Sequence, residues 1–345
     1  MEILVPTSPL SFQVAWESTL KCNMDCSYCG DGHDNSQAHP SLVDSLHTVD
    51  FIFDYLEIQM QDRKHRIAGL NIQGGESINH PYIIQILEYI QNKKQNIDYD
   101  LSVALITNAT ATSKRWEKIV ELVDYLTISF HAEMDLRQRH KFITNIYYLK
   151  FKKKNFQVNI MMHPKHWDVC TAMVDYCQKR DIQYHMRQID HSYFDTRFNY
   201  SAEQAEYITG KKPSSITEKA LALVKNGFDL DAQGRSCCGG NSLCADGCTV
   251  NRVRNRFKGW HCSVDKYFLY IRQTTGEVFT NKDCRMNWEG SVGPIGYLNN
   301  TDAILNKLRN GTPTIICKKT KCWCGLCAPK SKDGANLAKI LSSNL

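Results

Sequence analysis

From residue 12 to about residue 190, short apolar runs alternate with longer amphipathic ones. The apolar runs at 12–20, 67–73, 101–107, 125–130, 156–162 and 183–189 have the length and make-up of strands. Between them, 42–60, 82–91, 114–123, 136–150 and 169–179 carry apolar residues three and four apart, the spacing of an amphipathic helix. Pro81 stands where a first-turn proline is tolerated. Six such β/α units predict parallel strands joined by right-handed crossovers, and hence an α/β fold. A partial or full barrel accommodates them better than a sandwich.

Past this region the pattern changes. Residues 195–235 are mixed and polar, with a helical stretch at 215–225, and read as a connector. Glycine and cysteine then become dense and helical periodicity fades. The runs 266–271 and 277–280 flank Thr275-Gly276 and predict a β-hairpin, and 303–308 predicts a short helix. The expected organisation is a barrel over 1–195, a connector over 196–235, and a small Cys-rich hairpin-and-helix domain over 236–345. A region of that size has a thin core and would gain from a metal staple.

Composition narrows the function classes. With 345 residues and 42% of them hydrophobic, the chain can bury a sizeable core, which excludes global disorder. The net charge of +6, from 42 Lys+Arg against 36 Asp+Glu, is too mild to imply nucleic acid by itself. No apolar run approaches the roughly 20 residues of a membrane helix, and the N-terminus lacks the pattern of a secretory signal. A cytoplasmic protein is expected. Against that background the 15 cysteines stand out. Their number is odd, and in a reducing compartment soft-metal ligation and catalysis are commoner uses than disulfides. Three fall between 22 and 29 and ten between 237 and 327. Cys170 and Cys177 are seven apart on one predicted helix, which puts both on its packed face.

Cys22, Cys26 and Cys29 have the spacing C-x3-C-x2-C and directly follow the first predicted strand. Loops after the strands form the functional face of a β/α barrel. Three thiolates can hold three irons of a 4Fe–4S cluster and leave the fourth open. A zinc site would want a fourth ligand, for which His33 is near. The run resembles the signature of the radical S-adenosylmethionine (radical SAM) superfamily, whose fold is a partial (β/α)6 barrel. The resemblance implies that SAM chelates the open iron, and that one electron cleaves it to a 5′-deoxyadenosyl radical. It further implies that Gly74, Gly75 and Glu76 form the motif holding the SAM amino group, that Asn108 and Ser129 contact its ribose and carboxylate, and that Tyr28 contacts adenine. Turn, cap and packing roles are the alternatives for these residues. Arg187 is the candidate for an anionic group of SAM or substrate. His131, His163 and His185 lie on or just after the later strands, where structural roles are expected of them.

The second cysteine region resembles the twitch domain, a shortened SPASM domain that holds auxiliary 4Fe–4S clusters beside the barrel. On that resemblance Cys262, Cys284, Cys324 and Cys327 are the ligands of a second cluster, with Cys317 and Cys322 competing for one place. The resemblance departs at Asn281, which stands where the family usually has a cysteine. A four-cysteine zinc ribbon is the alternative. Cys237, Cys238, Cys244 and Cys248 have no place in a one-cluster scheme. Arg252, Arg254 and Arg256, near Phe257 and Trp260, read as a solvated surface or as a phosphate-binding stripe.

The expectation is therefore a radical SAM enzyme served by a one-electron donor such as flavodoxin or ferredoxin, oxidising or joining a small molecule or sugar nucleotide. Family members acting on peptides often carry an N-terminal peptide-binding domain, and only about ten residues precede the first strand here, which tilts the reading from peptide. A nucleic-acid or peptide substrate is the alternative within the family. A non-catalytic zinc or iron–sulfur protein is the alternative outside it.

Overall fold

The computed structural model describes residues 3–4, 11–29, 34–61, 63, 66–189, 200–209, 257–280, 293–311, 315–318 and 328–335. Its strands up to residue 188 are β1 (Ile3–Leu4), β2 (Phe12–Thr19), β3 (Ile67–Gly74), β4 (Asp100–Thr107), β5 (Tyr125–His131), β6 (Phe156–Met162) and β7 (Tyr184–Gln188). The helices between them are α1 (Leu42–Met60), α2 (Ile83–Lys94), α3 (Ser113–Glu121), α4 (Leu136–Phe151) and α5 (Trp167–Lys179), followed by α6 (Ala202–Thr209). Thus the expected six strands and five helices form. The largest difference is at α2, which starts after its N-cap Tyr82 and runs to Lys94, so that Pro81 stands before the helix rather than in its first turn.

Strands β2 to β7 pair in parallel in sequence order. Side chains of β5 alternate as a strand requires. Leu126, Ile128 and Phe130 are buried, while Thr127, Ser129 and His131 are half-buried on the opposite, inner face. Phe12, Val14, Trp16, Leu70, Ile72, Val103, Leu105, Val158 and Ile160 belong to the same continuous core as the helices' apolar faces. Each such side chain contributes about 2 kcal/mol through burial. Cys170 and Cys177 of α5 are fully buried in that core, as their spacing predicts.

The C-terminal segments are β8 (His261–Cys262), β9 (Phe268–Arg272), β10 (Glu277–Phe279), β11 (Gly296–Tyr297), α7 (Thr301–Arg309), β12 (Ile315–Ile316) and β13 (Lys330–Ser331). The expected hairpin is β9–β10, turning at Gly276 with φ +71°. It does not stand apart from the barrel. β9 pairs in parallel with β2, from Gln13↔Phe268 to Glu17↔Arg272, and the sheet becomes nine-stranded in the order β11-β10-β9-β2-β3-β4-β5-β6-β7. Without this pairing β2 would be an edge with a row of unpaired backbone groups. A second sheet has the order β1-β13-β8-β12.

Among the described residues, no helix is long and apolar enough to cross a membrane. The expected helix at 215–225 and the arginines 252, 254 and 256 lie outside the described residues. So do His33, Cys237, Cys238, Cys244, Cys248, Cys284, Cys322, Cys324 and Cys327.

Candidate metal and cofactor site

The three clustered cysteines sit on the loop that leaves the C-terminal end of β2. Cys22 is half-buried, Cys26 buried and Cys29 exposed. Backbone bonds fold this loop back on itself: Cys29 N–H donates to the Cys26 carbonyl at 3.0 Å, and Cys22 N–H donates to Asn35 Oδ1 at 2.9 Å. Burial pushes the Cys22 thiol up to about 11 and the Cys26 thiol up to about 12, and the charge Cys29 would carry adds to both. These are thiols at neutral pH, so a metal that binds them must displace their protons. The three cysteines share this one loop, and Cys26 feels the charge of both others. Three soft donors of this kind fit an iron–sulfur cluster with one open iron.

The expected glycine motif lies against this loop. Gly75 N–H donates to the Thr19 carbonyl at 2.8 Å, and Glu76 N–H to the Lys21 carbonyl at 2.7 Å. Gly74 has φ +152°, and a Cβ there would lie 2.1 Å from the Thr19 carbonyl oxygen. At Gly75 a Cβ would lie 2.3 Å from the Lys21 oxygen. Only glycine fits at either position. The strand end carrying the motif and the loop carrying the cysteines are thus one unit.

Glu76 is 2% exposed. Its Oε2 accepts from Asn108 N–H at 2.6 Å and its Oε1 from Ile78 N–H at 3.2 Å, with the Thr107 hydroxyl as a further partner. Burial raises it to about 7 against these bonds. The carboxylate therefore ties the ends of β3 and β4 together. Asn108, 4% exposed, continues the chain: its Nδ2 donates to Asn23 Oδ1 at 2.9 Å, and its Oδ1 accepts from the Thr110 hydroxyl at 2.6 Å. Asn23 Nδ2 in turn donates to Thr110 Oγ1 at 2.8 Å.

The far side of the loop is fixed by the end of β5 and by α4. Ser27 N–H donates to Glu133 Oε2 at 2.9 Å, and Gln138 Nε2 donates to the Asn23 carbonyl at 3.1 Å. Gln138 also closes the capping box of α4 with Asp135. Tyr28 is buried, and its hydroxyl lies 2.5 Å from His131 Nδ1. Burial lowers His131 to about 4, so its ring is neutral.

Parallel register arranges the inner face in rungs. Ser129, Asn159 and His185 form one rung, and His131, Met161 and Arg187 the next. Arg187 Nε donates to Asn159 Oδ1 at 3.3 Å, and burial lowers the arginine below its ordinary value. Across the sheet, Glu17 stands in register with Gln73 and Arg272, and its Oε1 accepts from Arg272 Nε at 2.8 Å. Tyr270 hydroxyl donates to the other carboxylate oxygen. The inner face of the sheet therefore presents amides, hydroxyls and two guanidinium groups.

Tyr28, Gly74, Gly75, Glu76 and Asn108 accordingly gather around the cysteine loop, while Ser129 and Arg187 line the inner wall on later strands. Asn23, Glu133 and the Glu17–Arg272 pair escaped the sequence reading. For Asn23 the available signal was its position inside the cysteine spacing, and for Glu133 its position just past a strand end. Glu133, His163 and His166 bring one ligand atom each within 4.8 Å of one another. His163 Nδ1, however, accepts from Lys165 N–H at 3.1 Å, so the neutral ring carries its proton on Nε2, the nitrogen facing Glu133. In the second sheet Cys262 faces Ile315, and alternation carries Cys317 to the same face.

Residues 16–163 match the family model described as Radical SAM superfamily. No curated protein matches the chain. Among solved structures, anSMEcpe with bound AdoMet is 12% identical, with a TM-score of 0.54 over 84% of this chain and 78% of that one. The structure of anSMEcpe with AdoMet and Kp18Cys peptide is 13% identical, with a TM-score of 0.53 over the same shares. SuiB of Streptococcus suis, bound to its precursor peptide SuiA, is 12% identical, with a TM-score of 0.52 over 87% of this chain and 67% of that one. At these identities the likeness is one of fold.

Proposed function

We propose that the chain is a radical SAM enzyme, in which Cys22, Cys26 and Cys29 hold a 4Fe–4S cluster and SAM takes the open iron. The observation that carries this is the loop of three cysteines locked onto the Gly74-Gly75-Glu76 strand end. When bound, the cluster would supply the electron that cleaves SAM to a radical able to take hydrogen from carbon. The chain's own part is positional. Gly74 and Gly75 allow the close backbone approach, Glu76 and Asn108 brace the strand ends beside it, and Tyr28, Ser129 and Arg187 would complete the SAM pocket. A one-electron donor such as flavodoxin or ferredoxin would reduce the cluster.

Cys262, with Cys284, Cys324 and Cys327, would hold an auxiliary 4Fe–4S cluster, and Cys317 on the Cys262 face competes for a place there. Such a cluster would favour oxidation or bond formation over methylation, because it can accept the electron left on the substrate. The polar inner face, with Arg187 and Arg272, suits a small polar molecule or sugar nucleotide as substrate. A ribosomally made peptide is the second reading, favoured by the fold shared with structures that contain peptides.

Anaerobic purification followed by iron, sulfide and zinc analysis tests the proposal. Iron and sulfide in equal amounts, reduced by Cys26→Ala, are expected. Full zinc occupancy without iron would overturn it in favour of a zinc protein.

A further inference from the structure

Cys26 lies against two ring side chains, those of Tyr28 and His131. Tyr28 hydroxyl bonds Cys26 Sγ and also lies 2.5 Å from His131 Nδ1. His131 Nδ1 is itself 3.6 Å from Cys26 Sγ. The two rings lie near parallel, 15° apart with centroids at 5.9 Å, so the triangle of sulfur, oxygen and nitrogen is held by stacking as well as by hydrogen bonds. Tyr28 is 8% exposed and Cys26 9%, which shields these bonds from water.

Proton counting decides how the triangle is used. A thiol at Cys26 could donate its own proton into it. A metal-bound thiolate has none and can only accept. One arrangement then satisfies all three atoms: His131 Nδ1–H donates to the Tyr28 oxygen, and the Tyr28 O–H donates to Cys26 Sγ. Resting on the radical SAM reading above, we propose that Tyr28 and His131 form a hydrogen-bond relay onto the Cys26 sulfur that sets the reduction potential of the cluster. The two are positioning residues, acting through Cys26. A donor on a ligating sulfur draws charge from it and stabilises the more negative, reduced cluster, so the relay raises the potential. It also gives a reason for tyrosine at position 28, since phenylalanine would supply the ring without the hydroxyl.

The test is a redox titration, followed by electron paramagnetic resonance, of the anaerobically reconstituted full chain in the absence of SAM. Tyr28→Phe should keep its iron and sulfide yet reduce at a more negative potential. At a fixed applied potential its ratio of reduced to oxidised cluster should fall about tenfold, the scale of one charge-assisted hydrogen bond. His131→Ala keeps the hydroxyl but removes its orienting partner, and should shift the potential the same way by less. The double variant should shift by less than the sum. Wild-type potentials in both single variants, with the cluster intact, would overturn the relay alone. A wild-type chain that takes up no iron–sulfur cluster would overturn the radical SAM reading and the relay with it.

Discussion

Asn108 Nδ2 donates to Asn23 Oδ1 at 2.9 Å, joining the end of β4 to the middle of the cysteine loop. Asn23 lies between Cys22 and Cys26, so this bond anchors the start of the cysteine loop. Replacing Asn108 by Ala removes it together with both bonds from Thr110. A loss of about 1–3 kcal/mol in stability is expected, with a lower iron content after reconstitution. Urea unfolding and iron analysis of Asn108→Ala check both. Wild-type values in each would show that the loop is held by other contacts.

The glycine pair makes a harsher prediction. Gly75→Ala would set a methyl carbon 2.3 Å from the Lys21 carbonyl oxygen, and that oxygen is backbone. The cysteine loop must move or the variant must unfold. A cost of about 3 kcal/mol or more is expected, read by denaturant unfolding. Loss of any cluster should accompany it, because the atoms that clash belong to Leu20 and Lys21, the two residues before Cys22.

Glu76 predicts a pH dependence. Burial lifts it from an ordinary 4.5 to about 7. Between those values the folded chain holds a proton that the unfolded chain releases, so folding is favoured at the acid end. Stability from this group is full below about pH 4.5 and is lost as pH rises through 7, by on the order of 3 kcal/mol. Unfolding free energies measured across that range should slope downward in the metal-free protein. In Glu76→Gln, which cannot ionise, the slope should flatten.

Most of the barrel could be read from local periodicity. Strand β6 at Phe156–Met162 and helix α1 at Leu42–Met60 have the bounds their apolar spacing implies. What escaped was pairing across long sequence separations. Nothing local in residues 268–272 says that they will add to β2, some 250 residues earlier. The same holds within the site. Cys22, Cys26 and Cys29 declare themselves by spacing, whereas the Ser27–Glu133 and Asn23–Asn108 bonds exist only once several strand ends meet. Glu76 was legible as part of a motif. Its bond to Asn108 N–H was not.

The pair Glu17–Arg272 fastens the hairpin to the barrel from the inner face, with side chains 9% and 27% exposed. Glu17→Ala takes an acceptor from Arg272 and from Tyr270 together. A loss of about 2 kcal/mol is expected, reduced from a fully buried pair because Arg272 keeps some solvent. In a double-mutant cycle with Arg272→Ala, the two losses should fail to add. Additive losses would mean the pair contributes no coupling.

The central claim is that the Cys22, Cys26 and Cys29 cluster cleaves SAM. It is tested most directly by incubating the anaerobically reconstituted chain with dithionite and SAM and measuring 5′-deoxyadenosine by mass spectrometry. Formation of 5′-deoxyadenosine by the wild type, abolished in Cys26→Ala, is the predicted result. A chain carrying a complete, reducible 4Fe–4S cluster that forms no 5′-deoxyadenosine would contradict it.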